Sequence, residues 1–117
     1  MSERLNKING LLRDEVGKIL RDELDFDSGV LVTVTHALVS PTLEHATIFI
    51  STLPKGHEKK TLAQINQQIY KLQQFLNKRL AMRPVPKVRF EVDGSIDRAA
   101  RIDEILQKTL KSDKVNN

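Results

Sequence analysis

Cysteine is absent from the 117 residues, which removes disulfide frameworks, thiolate metal sites and cysteine nucleophiles at once. Tryptophan is absent too, and aromatic residues make up 4% of the chain, too few for a stacking platform; core packing, or half-burial at an edge, is the expectation for Phe49, Tyr70 and Phe75. The five glycines stand singly at 10, 17, 29, 56 and 94, so no phosphate-binding glycine loop, nucleotide fingerprint or nucleophile elbow can be assembled. Long apolar runs are also missing. Glu3, Arg4, Lys7, Arg13, Asp14 and Glu15 interrupt the first twenty residues, unlike a secretory signal. Nothing elsewhere reaches the roughly eighteen apolar residues of a membrane span. The expectation is a soluble, cytoplasmic chain with no cofactor, no membrane partner and no small-molecule substrate. Its length suits a single core.

Acids are scarce over one long stretch. From Lys55 to Arg89 there are nine basic residues against the single acid Glu58, whereas the rest of the chain carries ten basic and fourteen acidic residues. A net charge of +4 is modest, but this asymmetry predicts one electropositive face that would orient the molecule toward a phosphate backbone.

Residues 3 to about 24 read as an amphipathic helix, because Leu5, Ile8, Leu12, Val16 and Ile19 recur at helical steps. Gly10 and Gly17 weaken it by up to about 1 kcal/mol each, so packing must hold it. Val30 to Val39 is dense in β-branched residues and reads as a strand, with Val30, Val32, Val34 and Leu38 on one face. Ser40, Pro41 and Thr42 interrupt it before a second strand from about Leu43 to Leu53, giving an antiparallel hairpin. Leu62, Ile65, Ile69, Leu72, Leu76 and Leu80 then form one continuous helical stripe, with Thr61 and Gln64 as a candidate capping box. Lys60, Gln67, Lys71, Gln74 and Lys78 fall on the opposite face. Pro84 and Pro86 end that helix, Val88, Phe90 and Val92 alternate as a third strand, and Ile102, Leu106 and Leu110 line a final helix. The predicted architecture is a single α+β domain over residues 1–111 in the order α-β-β-α-β-α, a three-stranded sheet with helices on one face, followed by a loose tail at 112–117.

The segment VTVTHALVSPTLEHATIFIS, residues 32–51, resembles the hairpin of the ribosome-binding factor A family, and LNKRLAMRPVPKVRFEVDGSIDRAARIDEIL, residues 76–106, is similar to that family's later half. The stretch from Arg4 to Leu24 is similar to its opening helix. The resemblance implies a type II KH-like fold without enzymatic activity that binds the small (30S) ribosomal subunit through 16S rRNA during its late maturation, as a monomer, often with a link to growth in the cold. Three departures stand out. The family's Ala-x-Gly kink sequence is replaced by Gln68, Ile69 and Tyr70, which gives the helix less reason to bend. A GxxG loop is missing, and an acid common in the hairpin turn is replaced by Thr42.

With that resemblance, the acid-poor stretch makes Lys60, Lys71, Lys78, Arg79, Arg83, Lys87 and Arg89 the candidate RNA phosphate contacts, rather than a merely solvated face. His36, His45 and His57 lack carboxylates at ligand spacing and read as surface or edge residues. The acids Asp22, Glu23, Asp25, Asp27, Asp93, Asp97, Asp103 and Glu104 match no calcium loop and are assigned to helix ends, turns and solvation. The main competing reading is a protein-interaction or regulatory domain that pairs through a sheet edge, for instance the strand Leu43–Leu53. A small carboxylate hydrolase is the remoter alternative.

Overall fold

A computed structural model describes residues 3–94, so the expected final helix with Ile102, Leu106 and Leu110, and the tail at 112–117, lie outside the described residues. The described elements are α1 (Glu3–Asp22), β1 (Leu31–Val39), β2 (His45–Leu53), α2 (Glu58–Gln67), α3 (Ile69–Arg79) and β3 (Lys87–Val92). Strand order in the sheet is β1-β2-β3, with β2 antiparallel to β1 and parallel to β3.

The hairpin is closed by Ser40. Its hydroxyl accepts from the amides of Glu44 and His45, both at 3.2 Å, and its own amide donates to the His45 carbonyl at 2.8 Å. A serine at this position thus satisfies backbone groups that the turn would otherwise leave open. Thr42 bonds the Ser40 hydroxyl at 3.2 Å, so the residue standing in for the family's acid still takes part in the turn.

The pairing of β1 with β2 slips between Val34 and His36, where a bulge inserts one residue. That slip reverses the inward parity of β1. Val32 and Val34 pack toward the core before it, and Ala37 and Val39 are buried after it. Leu38, expected on the same face as Val32 and Val34, is therefore turned outward and exposed.

Parallel pairing of β3 places β2 in the middle of the sheet. The strand proposed as a free edge is accordingly paired on both sides, which corrects the sheet-edge reading for Leu43–Leu53. Side chains from the helices also reach backbone amides of the two outer strands. Asn9 Oδ1 accepts from Val39 N at 2.8 Å, and Gln73 Oε1 accepts from Val88 N at 3.1 Å while its Nε2 donates to the Pro86 carbonyl at 3.0 Å.

One core fills the space between sheet and helices. Leu12, Val16 and Ile19 of α1, Ala46, Ile48 and Ile50 of β2, Ile65 of α2, Leu72 and Leu76 of α3, and Val88 and Phe90 of β3 all bury in it. The opposite sheet face carries Thr33, His36 and Leu38, then Thr47, Phe49 and Ser51, then Lys87, Arg89 and Glu91. Helix α2 begins at Glu58, with His57 as its cap and no side-chain capping bond. Thr61 thus lies inside the helix and is buried, and Gln64 bonds Asp27 at 3.0 Å, so the two do not form a capping box.

The second long helix does not run through. Gln68, with φ −111° and ψ 13°, ends α2 and starts α3. Its backbone amide bonds Ile65 O at 2.9 Å, three residues back, while its side-chain Nε2 takes Gln64 O at 3.1 Å. A side chain inserted into the backbone ladder breaks a helix as effectively as glycine or proline does. The same amide group accepts from Asp25 N at 3.2 Å and donates to Asp25 O at 3.0 Å, so the break is also tied to the segment between α1 and β1.

Candidate nucleic-acid interface

The seven cations singled out from the sequence divide into committed and available groups. Lys60 is ion-paired with Asp27, whose carboxyl is held below its ordinary value of 3.8 first by the hydrogen bond from Lys60 and then by that from Gln64. Arg79 faces α1, within 3.6 Å of Glu15 and 3.9 Å of Glu23, with 30% of its side chain exposed. Arg83 folds back to donate to the carbonyls of Leu80 and Met82, each at 2.7 Å, and closes the end of α3. Arg89 lies along the sheet, bonding Thr47 Oγ1 at 3.2 Å and pairing with Glu91 at 2.8 Å.

Lys71, Lys78 and Lys87 remain. All three are exposed and none forms an ion pair with a described residue. Helical spacing brings Lys71 and Lys78 together on the outer face of α3, alongside Gln74 and Tyr70. Lys87 stands instead with Arg89 on the sheet face turned away from the helices. The electropositive stretch is therefore presented as two patches, one on α3 and one on β3.

Composition hid one residue of this surface. Tyr70, expected in the core or half-buried at an edge, is 77% exposed in the first turn of α3. The signal was available in the periodicity: Tyr70 lies four residues before Gln74 and eight before Lys78, off the apolar stripe. Phe75 does pack against the core, and Phe49 stacks on His36 with centroids 4.2 Å apart and an interplanar angle of 13°. His36 also approaches Asp93 at 3.6 Å, an ion pair only when the imidazole is protonated.

Among the described residues no group of three or more His, Cys, Asp or Glu is placed to hold a metal ion. Nor is any described helix long and apolar enough to cross a membrane. A cavity of about 720 Å³, open to solvent, lies between α1 and β1, and the ion pairs on its rim link neighbours within α1, Arg13 with Asp14 and Arg21 with Asp22.

Comparison with known proteins bears on what this surface serves. Residues 4–106 match the family described as ribosome-binding factor A. A ribosome-binding factor A of Coxiella burnetii (strain RSA 493 / Nine Mile phase I) is 30% identical over 113 residues, covering 97% of this chain and 95% of its own. That of Nitrosococcus oceani is 31% identical over 111 residues, covering 94% and 87%. In three dimensions the chain resembles the crystal structure of ribosome-binding factor A from Thermus thermophilus, with a TM-score of 0.64 and 14% identity over 75% of this chain and 93% of that one. Thermus thermophilus ribosome binding factor A coordinates fitted into a cryo-EM map of a 30S-RBFA complex give a TM-score of 0.63 and 17% identity, over 74% and 91%. The match over most of the sequence, full-length relatives at about 30% identity and the common fold agree, and the chain belongs to the ribosome-binding factor A family.

Proposed function

We propose that this protein binds the small ribosomal subunit through its 16S rRNA and assists late maturation of that subunit, as a monomer in the cytoplasm, by docking rather than by catalysis. The observation that carries the reading is the run without acids from Lys59 to Phe90, from which Lys71, Lys78 and Lys87 project, exposed and with no ion pair to a described residue. A lysine free of intramolecular pairing neutralises a phosphate without first giving up a partner, and each such contact releases counterions. Family membership supports the ribosome as partner, and the Thermus thermophilus relative fitted into a 30S complex supports the small subunit. Arg79, Arg83 and Arg89 belong to this surface in a supporting role, because their guanidinium groups already hold α1, the end of α3 and β2.

Sedimentation of the purified protein with small subunits, large subunits and whole ribosomes over a salt series tests the proposal. Selective co-sedimentation with small subunits, persisting at moderate salt, is the expected result. Equal binding to every particle that vanishes with modest salt would reduce the surface to a general polyanion binder and overturn it.

A further inference from the structure

The chain has five Phe and Tyr residues and no Trp. Phe90 is buried, Phe26 and Phe75 pack against the core, and Phe49 is stacked on His36. Tyr70 alone of the five is left outside, more exposed than any other large apolar side chain among the described residues. Its hydroxyl makes no hydrogen bond to a described residue.

Its surroundings are polar and cationic. Within α3 the outward arc holds Tyr70, Lys71, Gln74, Asn77 and Lys78, and the break at Gln68 sets Tyr70 in the opening turn rather than inside a continuous helix. A lone aromatic ring on a helix that contains no acid, flanked by two lysines with no ion pair to a described residue, is the combination that single-strand readers use: the ring takes a base face while the cations take neighbouring phosphates. A protein partner of ordinary mixed charge would not need so uniform a field. A paired helix would keep its bases stacked among themselves and offer the ring nothing.

We propose that Tyr70 stacks on an unpaired nucleobase, with Lys71 and Lys78 on the adjoining phosphates, so that the α3 face recognises single-stranded RNA. This assignment rests on the RNA-binding reading above and names the kind of RNA that the face takes.

Because Tyr70 is the only tyrosine, ring-labelled tyrosine gives one unambiguous set of NMR signals in the full chain. Titration with an eight-nucleotide oligoadenylate should move those signals upfield, through the ring current of a stacked base, whereas heparin, a polyanion without bases, should not. Tyr70→Phe should bind the oligonucleotide and small subunits as the parent does. Tyr70→Leu and Tyr70→Ala should both weaken binding by roughly five- to 160-fold, the range that follows from a lost base–aromatic stack, with unchanged melting temperature. A Tyr70→Leu chain that binds like the parent would overturn the proposal, since apolar bulk would then suffice. So would ring signals that respond to heparin as they do to oligoadenylate. If those results came with normal small-subunit sedimentation, stacking alone would fall. A parent chain that moves its ring signals with oligoadenylate yet ignores small subunits would instead sink the ribosomal reading and keep the base site.

Discussion

The side-chain amide of Gln68 occupies the carbonyl of Gln64 at 3.1 Å, the oxygen that the Gln68 backbone N–H would reach in an unbroken helix. The displaced N–H goes to Ile65 instead. Since the other bonds of that amide hold both backbone groups of Asp25, the break between α2 and α3 and the segment after α1 form one unit. The outer face of α3, with Tyr70, Lys71 and Lys78, takes its direction from this one side chain.

Replacing Gln68 by Ala should fuse the two helices. Gln64 O becomes free for the Gln68 N–H again, and alanine is the best helix former. Water can replace part of the lost bonding at this half-buried position, so the global cost should be about 1–2 kcal/mol. Amide hydrogen exchange gives the local reading: protection should rise at Gln68 and fall at Asp25. Unchanged exchange at both amides would mean that packing, not the glutamine, bends the chain.

Arg79 makes a different prediction from its lysine neighbours. Its guanidinium bridges Glu15 and Glu23 of α1, both only partly shielded from water, so Arg79→Ala should cost about 0.5–1 kcal/mol of stability. The salt dependence of small-subunit binding should scarcely change. Thermal melts in low and high salt, compared with the parent, test the first part, and the sedimentation series tests the second. A large change in salt dependence with no stability loss would return Arg79 to the phosphate-contacting set.

Neutralising Lys71, Lys78 and Lys87 together to Gln should have the opposite profile. Each phosphate contact contributes roughly 0.7–0.9 to the slope of log affinity against log salt, so losing three should reduce it by about 2 or more. Stability should stay within about 0.5 kcal/mol, because these side chains are exposed and hold no described partner. An unaltered slope in the triple variant would move the interface elsewhere.

Much of the fold was legible because burial imposes a period on the sequence. Leu12, Val16 and Ile19 announced α1, and the alternation through Ala46, Ile48 and Ile50 announced β2, since a buried face tolerates no slip. The break at Gln68 was not legible, because the apolar stripe continues across it from Ile65 to Leu72 and only a long-range bond to Asp25 gives the side chain its second anchor. The position of β2 in the middle of the sheet was hidden for a related reason: parallel pairing with β3 joins residues some forty positions apart, such as Ile48 and Phe90, and leaves no local mark. Of the candidate surface, charge type was legible and charge commitment was not, as Lys60 and Arg79 find their acids on other elements.

The bulge in β1 supplies a sharp test of the sheet. Leu38 lies after the slip and faces outward, so Leu38→Thr should change stability by no more than about 0.5 kcal/mol. Ile48, fully buried on the central strand, should cost about 2–5 kcal/mol on replacement by Ala. Urea unfolding of the two variants makes the comparison directly. A Leu38→Thr loss as large as that of Ile48→Ala would mean that β1 runs without a bulge.

Asp27 adds a dependence on pH whose sign is fixed by its partners. Lys60 and Gln64 bond the ionised carboxylate and depress its titration below 3.8 in the folded chain. A depressed acid contributes stability that is present above its unfolded value and is lost as pH falls through the folded one. The tie between the segment after α1 and helix α2 should therefore hold from neutral pH down to about 4 and loosen below that. Carboxyl NMR titration of Asp27 should show the low midpoint in the parent, and Lys60→Met should raise it toward the ordinary value. Asp27→Asn should abolish the low-pH change in amide exchange at Gln64, whereas exchange at Gln68, held by Asp25 backbone groups that do not titrate, should show no such change in either chain. Loss of protection at Gln68 in step with Asp27 would show instead that the two ties open as one.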